Sequence, residues 1–197
     1  MKTTRLIIVA VGGQGNLLAS KVLGEAALLS GVPVRMSEIH GMAQRGGVVE
    51  SAIVFGDAKS TIISDNEADV LLGFEPSETL RALNKCNART TVITNLSPLP
   101  PFTVAIGRGT YPDLAQAQEL IKAKTSRLIT MDAVDLAIKA GSVMAVNIVL
   151  LGALIQTSIL PISRQNLELA IQTKTKASFV DVNLKAFDLG FSNAANT

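Results

Sequence analysis

The sequence has few of the residues on which redox, metal and nucleic-acid chemistry most often depend. Its 197 residues include one cysteine, one histidine, one tyrosine and no tryptophan. A single cysteine, Cys86, excludes an internal disulfide and cannot by itself hold an iron–sulfur cluster or a structural zinc ion. Because there is also no basic run, and there are few aromatic side chains to stack on bases, nucleic-acid binding is not expected.

Charged residues are scarce as well. They make up 17% of the chain against 48% hydrophobic residues, and 18 Lys and Arg against 16 Asp and Glu leave a net charge of +2. With so few aromatics, the core must consist of Val, Ile, Leu and Ala, as in buried parallel sheets. The apolar excess predicts a subunit of a larger assembly, because obligate interfaces resemble a domain core cut in half.

Two apolar stretches could be confused with membrane signals. The run 6–11 is too short for the apolar region of a signal peptide. The stretch 142–160 is long enough to cross a bilayer, but polar residues such as Asn147 and Gln156 interrupt it. We therefore expect a buried helix there, no membrane attachment and a cytoplasmic location.

Strand and helix patterns alternate along the first half of the chain. The β-branched run 5–11 predicts a buried strand, 16–30 a helix that stops at Gly31, and 32–37 a second strand, together a parallel βαβ unit. Residues 48–55 predict an antiparallel strand at the sheet edge, because the connection before them is too short for a crossover helix. The fold class expected is α/β: a three-layer, Rossmann-like, mostly parallel sheet with an antiparallel edge strand and C-terminal helices packed on it.

The rest of the chain continues the pattern and then becomes helical. Strands are predicted at 69–74, 90–95 and 128–131, and helices at 75–84, 111–122, 133–140, 143–159, 164–172 and 180–191. The helix at 111–122 should carry Pro112 in its first turn, where proline is tolerated. No linker is evident, so we expect one domain over 1–191 and a frayed tail over 192–197.

The first segment that could carry chemistry is the loop Gly12-Gly13-Gln14-Gly15-Asn16. It joins a strand to a helix, where free backbone N–H groups and the positive end of the helix favour a phosphate. Leu18 stands where a dinucleotide fingerprint has its third glycine, and no Lys-Thr pair follows, which excludes a P-loop. Glu38 could take the place of the acidic residue that holds a ribose. The alternative is that these glycines only permit a tight turn.

The second candidate loop lies after the second predicted strand and contains His40, Gln44, Arg45, Gly46 and Gly47. If the strands are parallel, it shares the carboxyl edge of the sheet with the first loop, where ligands of open α/β sheets bind. The glycines after Arg45 would let its guanidinium reach an anion. His40 could bind, relay protons or only donate a structural hydrogen bond. Without a second histidine or an acid cluster, no metal site is expected.

No catalytic set accompanies these loops. The sequence contains no nucleophile elbow, no HExxH motif and no carboxylates paired at helical spacing. It has the scaffold and the anion-binding parts of an enzyme without a visible reaction centre, and we assign no catalytic residue.

Taken together, the two loops resemble those of the γ domain of 2-oxoacid:ferredoxin oxidoreductases. The resemblance rests on Val11-Gly12-Gly13-Gln14-Gly15-Asn16 with Ala19-Ser20, and on Glu38-x-His40-Gly41-Met42-Ala43-Gln44-Arg45-Gly46-Gly47. Within that family the second loop is most similar to the β subunit of indolepyruvate:ferredoxin oxidoreductases. Asn147-x-x-x-Leu151-Gly152 also fits, and the resemblance covers about 5–189.

The resemblance implies a heteromeric enzyme that decarboxylates a 2-oxoacid, an aryl pyruvate in the indolepyruvate type, to an acyl-CoA and passes electrons to ferredoxin. Thiamine diphosphate and the [4Fe–4S] clusters would belong to a large partner subunit. This chain would contribute a coenzyme A-associated site at Gly12–Asn16, with the second loop beside it. Whether the loops meet coenzyme A or the partner's polypeptide stays open here, as does self-association into a homodimer. A stand-alone dinucleotide-binding module and a purely structural scaffold subunit are the alternatives.

Overall fold

The computed structural model describes residues 2–41, 47–100, 104 and 106–196 and contains one six-stranded sheet. The strands are β1 (Thr4–Val11), β2 (Val34–His40), β3 (Val48–Phe55), β4 (Ala68–Gly73), β5 (Cys86–Asn95) and β6 (Arg127–Met131). The helices are α1 (Asn16–Leu29), α2 (Pro76–Arg81), α3 (Leu114–Lys124), α4 (Ala133–Ala140), α5 (Val146–Gln156), α6 (Arg164–Lys174) and α7 (Val180–Ala195). Short 3-10 turns cover Ala82–Lys85, Val143–Ala145 and Ala177–Phe179.

The sheet has the strand order β2-β3-β1-β4-β5-β6. β1, β4, β5 and β6 pair in parallel, whereas β3 pairs antiparallel with both β1 and β2. Five strands therefore share one direction, and the expected α/β class with a mostly parallel sheet is confirmed.

The position of the antiparallel strand differs from the prediction. β3 lies between β1 and β2 rather than at the edge, so the predicted βαβ unit has its two parallel strands separated by a third. The burial of the strands gives the reason. Ile53, Val54 and Phe55 of β3 are buried, whereas β2 presents Arg35 and His40 to solvent. A polar strand tolerates the edge better than an apolar one.

Helices cover both faces of the sheet, which gives the three layers that the sequence predicts. On one face Leu6, Ile8 and Leu72 pack against α1 and the C-terminal helices α4 to α7. On the other face Ile7, Val9 and Leu71 pack in a smaller core that includes Ile121 of α3. The alternation of buried side chains along β1 matches a strand that is covered on both sides.

α5 and α7 are packed backbone to backbone. A Cβ atom on Gly152 would lie 2.1 Å from the carbonyl oxygen of Phe187, and one on Gly190 would lie 1.9 Å from that of Val149. No side chain fits at either position. This close contact fixes the position of α7 against α5, and both helices begin at the site described below.

Some element boundaries differ from their predicted positions. Pro112 precedes the N-cap residue Asp113 of α3 instead of lying in its first turn, because the Asp113 carboxylate accepts a 2.8 Å hydrogen bond from the backbone N–H of Gln116. α7 continues to Ala195 with Ala194 buried, so most of the predicted tail is helical. The apolar stretch after Gly141 forms only the 11-residue α5. None of the helices in the described ranges is both long and apolar enough to span a bilayer.

Candidate functional site

The glycine loop follows β1 and leads into α1 through left-handed backbone. Gly13 and Gly15 have φ values of +105° and +82°, a region that side chains other than glycine rarely adopt. Gly15 is the N-cap residue of α1 and offers no side chain to cap it. The first N–H groups of a 14-residue helix are therefore left for another acceptor.

Gln14 fastens this loop to the neighbouring strand. Its Oε1 accepts a 2.8 Å hydrogen bond from the backbone N–H of Val11, and its Nε2 donates a 3.2 Å bond to the carbonyl oxygen of Phe74, just after β4. The amide of Gln14 thus has a structural task, although the residue also lines the cavity described below.

Two asparagines complete the attachment. The Nδ2 of Asn147, at the start of α5, donates a 3.1 Å hydrogen bond to the carbonyl oxygen of Gly15. Asn95, at the end of β5, donates from Nδ2 to the carbonyl oxygen of Phe74 at 3.2 Å and accepts from the N–H of Ala133 at 3.0 Å. Side-chain amides therefore join the carboxyl ends of β1, β4, β5 and β6. Asn95 carried no signal in the sequence that could have singled it out.

A cavity of about 600 Å³ opens between this loop and the C-terminal helices. Its volume lies within the range of about 300–1,000 Å³ that is usual for small-molecule sites. Among the described residues that line it, two carry a charge, Lys174 and Lys176, and none is acidic. The lining comprises Gly13, Gln14, Gly15, Leu18, Asn95, Ser97, Pro98, Leu99, Val134, Val143, Met144, Val146, Asn147, Lys174, Thr175, Lys176, Phe179 and Asn183.

Helix ends add to the positive character of this cavity. Of the seven helices in the described ranges, α2, α3, α4 and α6 have a side-chain cap, from Glu75, Asp113, Asp132 and Ser163 respectively. α1, α5 and α7 have none, although Ser142 caps the 3-10 turn that leads into α5. All three uncapped helices start at residues of the cavity wall. Uncapped N-termini carry partial positive charge, so their convergence favours an anionic ligand.

The cavity wall also depends on a buried carboxylate. Glu75 is fully buried and accepts hydrogen bonds from Ser77 Oγ (2.5 Å), Glu78 N (3.0 Å), Leu99 N (3.3 Å) and the Tyr111 hydroxyl. Burial, together with the hydrogen bond to Glu75, raises the pKa of Tyr111 well above its usual value, which keeps the phenol protonated as a donor. Glu75 therefore holds the segment that brings Ser97, Pro98 and Leu99 to the cavity.

The second loop meets the first at the same edge of the sheet. The N–H of Gly12 donates a 2.7 Å hydrogen bond to the carbonyl oxygen of Gly47, and the N–H of Gly41 donates a 2.8 Å bond to that of Val48. The expected proximity of the two loops is thus present. Gln44, Arg45 and Gly46 lie outside the described residues.

His40, Glu38 and Asn16 meet on the other side of the glycine loop, away from the cavity. The hydroxyl of Ser51 is 3.1 Å from both Asn16 Oδ1 and Glu38 Oε1, and His40 Nε2 is 3.3 Å from Glu38 Oε2. None of these four residues lines the cavity. Glu38 therefore does not occupy the place of a ribose-binding acid; it connects β2 to β3 and to the start of α1.

Metal ligands and the cysteine were the remaining candidates for reactive groups. No three His, Cys, Asp or Glu side chains come together as metal ligands in the described ranges. Cys86 is buried at the start of β5, and burial raises the pKa of its thiol to about 11. A neutral, inaccessible thiol is a poor nucleophile, which agrees with an ordinary structural role.

Comparison with known proteins gives a consistent set of similarities. The family model for pyruvate ferredoxin/flavodoxin oxidoreductase matches residues 5–193. The indolepyruvate oxidoreductase subunit IorB of Pyrococcus horikoshii is 42% identical over 196 residues, which are 98% of this chain and 97% of that protein. The IorB subunit of Archaeoglobus fulgidus is 39% identical over 189 residues, 96% of this chain and 94% of that one.

Solved structures show the same fold. The gamma subunit of a keto/oxoacid ferredoxin oxidoreductase from Geobacter sulfurreducens has a TM-score of 0.73 at 21% identity, covering 98% of this chain and 99% of that one. A 2-oxoglutarate:ferredoxin oxidoreductase from Magnetococcus marinus, solved with 2-oxoglutarate, coenzyme A and succinyl-CoA bound, has a TM-score of 0.75 at 18% identity. The alignment covers all of this chain and 32% of the longer one.

Proposed function

Because this chain belongs to the pyruvate ferredoxin/flavodoxin oxidoreductase family, we propose that it is the small subunit of an indolepyruvate:ferredoxin oxidoreductase. The supporting observation is its identity of 38–42%, over nearly the full length of both chains, to four subunits that bear that name. The reaction consumes a 2-oxoacid, coenzyme A and two oxidised ferredoxins. It yields an acyl-CoA, CO2, two reduced ferredoxins and a proton.

The chain works with a large partner subunit that carries thiamine diphosphate and the [4Fe–4S] clusters and passes electrons to ferredoxin. This chain's own residues support that division, because one cysteine cannot ligate a four-iron cluster. Thiamine diphosphate supplies the decarboxylation chemistry in the partner. The task left for this subunit is to bind and orient a ligand.

The ligand is coenzyme A, held in the cavity beside Gly12–Asn16. Its pyrophosphate meets the backbone N–H groups at the start of α1, where Gly13 and Gly15 allow close approach. The absence of carboxylates among the described lining residues and the presence of two lysines suit a polyanion. Gly47 is joined to the loop by the bond from Gly12. Gln44, Arg45 and Gly46 remain proposed neighbours of the ligand.

His40 and Asn16 have an indirect part in this proposal. Their side chains face Glu38 and Ser51 rather than the cavity. They hold the start of α1 against β2 and β3, and so keep the loop in place for coenzyme A.

Co-expression with the large subunit of an indolepyruvate:ferredoxin oxidoreductase tests the proposal. The purified complex should reduce ferredoxin with indolepyruvate only when coenzyme A is present, and Gly15→Val should raise the KM for coenzyme A. A complex that forms with the partner but turns over without coenzyme A would instead favour a scaffold subunit. Tight binding of NAD(H) or FAD by the chain alone would favour a dinucleotide-binding module.

A further inference from the structure

Asn183 places a largely buried side chain against the cavity. It lies in the first turns of α7, is 7% exposed and lines the cavity. It makes no hydrogen bond to any residue that the structure describes, whereas the other asparagines of the cavity wall, Asn95 and Asn147, are both bonded. Its carboxamide is open to the cavity and offers a ligand two donors and one acceptor.

An aromatic side chain and two lysines line the same cavity as Asn183. Phe179 presents a half-exposed ring to the same cavity, immediately before α7. Lys174 and Lys176 lie at the end of α6 on the same wall. Lys174 is paired with Glu25 at 2.8 Å, while Lys176 has no ion-pair partner in the ranges that the structure covers. An aromatic face, a carboxamide and a free ammonium group thus line one cavity.

We propose that Phe179, Asn183 and Lys176 form a phosphoadenosine subsite within this cavity, and that Lys176 selects ligands that carry a 3′-phosphate. An aromatic ring stacks on any base, and a carboxamide matches the donor and acceptor of an adenine edge. Lys176 supplies the charge for a phosphate on the ribose. The inference rests on the proposed function, because it takes coenzyme A as the ligand of the glycine loop.

The subsite explains how one cavity can distinguish coenzyme A from dinucleotides and from nucleoside diphosphates. All of these carry a pyrophosphate that the start of α1 can bind, but only coenzyme A among them adds a 3′-phosphate. The specificity then comes from the end of α6 and the start of α7, and not from the glycine loop.

The test uses the assembled two-subunit enzyme with coenzyme A and with dephospho-coenzyme A, which lacks only the 3′-phosphate. The wild-type enzyme should have a KM about tenfold lower for coenzyme A, the size of effect that one charge-assisted hydrogen bond gives. Lys176→Gln should abolish this preference by raising the KM for coenzyme A, with kcat and the KM for dephospho-coenzyme A unchanged. Asn183→Ala should raise both KM values about tenfold, because it removes hydrogen bonds to the adenine that is common to the two ligands.

Lys185→Gln is the matched control, since it removes the same charge from an exposed position on α7 outside the cavity. It should leave both KM values unchanged. An undiminished preference for coenzyme A in Lys176→Gln overturns the inference even if Asn183→Ala fails to fold, because Lys176 is exposed and its replacement does not disturb packing. If that preference persists while Gly15→Val weakens coenzyme A binding, the proposed function stands and only the subsite is wrong.

Discussion

The side-chain amide of Asn147 donates a hydrogen bond of 3.1 Å to the carbonyl oxygen of Gly15, although 132 residues separate them in the chain. A Cβ atom on Gly15 would lie 2.6 Å from that same Nδ2 atom. The bond therefore requires glycine at the start of α1, and it places the C-terminal helices on the glycine loop.

Replacing Asn147 should weaken both folding and ligand binding. Asn147→Ala removes one of the two donors to the carbonyl oxygen of Gly15, which keeps its bond from the N–H of Ala19. We therefore expect a loss of about 1 kcal/mol in the free energy of unfolding and a raised KM for coenzyme A. Asn166→Ala is the control, because its amide bonds Ser30 far from the loop. Urea unfolding and steady-state kinetics measure the two effects. A KM that changes equally in both variants would contradict the link to the loop.

The close contact between α5 and α7 predicts that one added methyl group at Gly190 strongly lowers the stability of the fold. Gly190→Ala would place a Cβ atom 1.9 Å from the carbonyl oxygen of Val149, so the helices must separate. We expect a loss of about 3 kcal/mol or more, at the upper end of the effects of point substitutions.

Gly24→Ala in α1 is the matched helical control for this substitution. Its Cβ would meet only the end of the Met36 side chain, with Cε at 2.9 Å and Sδ at 3.1 Å, and that flexible side chain can move. Because alanine is the better helix former by about 1 kcal/mol, stability should stay level or rise. Thermal unfolding of both variants measures the two effects. A similar loss of stability in Gly190→Ala and Gly24→Ala would contradict the prediction that the contact between α5 and α7 is too close for a methyl group.

Glu75 should contribute more to stability than an ordinary capping residue. Its carboxylate accepts four hydrogen bonds, whereas a glutamine has one oxygen for them and places an NH2 group against donors. We expect Glu75→Gln to cost about 2–3 kcal/mol. Asp113→Asn changes the exposed cap of α3 in the same way and should cost less than about 0.5 kcal/mol. Equal losses of unfolding free energy in the two variants, measured by urea unfolding, would mean that the four hydrogen bonds of Glu75 contribute little to stability.

The buried thiol predicts a loss of stability at alkaline pH. The pKa of Cys86 is raised from 9.0 to about 11, so the unfolded chain loses this proton at a lower pH than the folded chain. The protonated thiol therefore contributes on the order of 2 kcal/mol to the free energy of unfolding. This contribution is complete below pH 9 and is lost between about pH 9 and 11. Cys86→Ala should lack this pH-dependent contribution. The difference in unfolding free energy between the wild type and Cys86→Ala, followed across that pH range, measures it. A difference that does not vary with pH would contradict it.

Sequence patterns predicted the type and approximate position of most elements, because period and glycine placement are local properties. β3 and α4 have the bounds that their patterns indicated. The order of the strands was not predictable in the same way. Residues 48–55 showed a strand and its antiparallel direction, but the choice between the edge and the interior depended on what else could cover Ile53 and Phe55.

The sequence by itself determined the α/β class, the glycine loop, the lack of cluster-binding cysteines and the family resemblance, since each follows from composition or from short runs of residues. Only the tertiary structure decided which face of the loop meets the cavity. In the structure Asn16, Glu38 and His40 do not line the cavity, whereas Asn95, Asn147 and Asn183 do. The physical reason is that the role of a side-chain amide depends on its burial and on the groups it bonds. Those groups lie on other elements, up to 132 residues away in the chain.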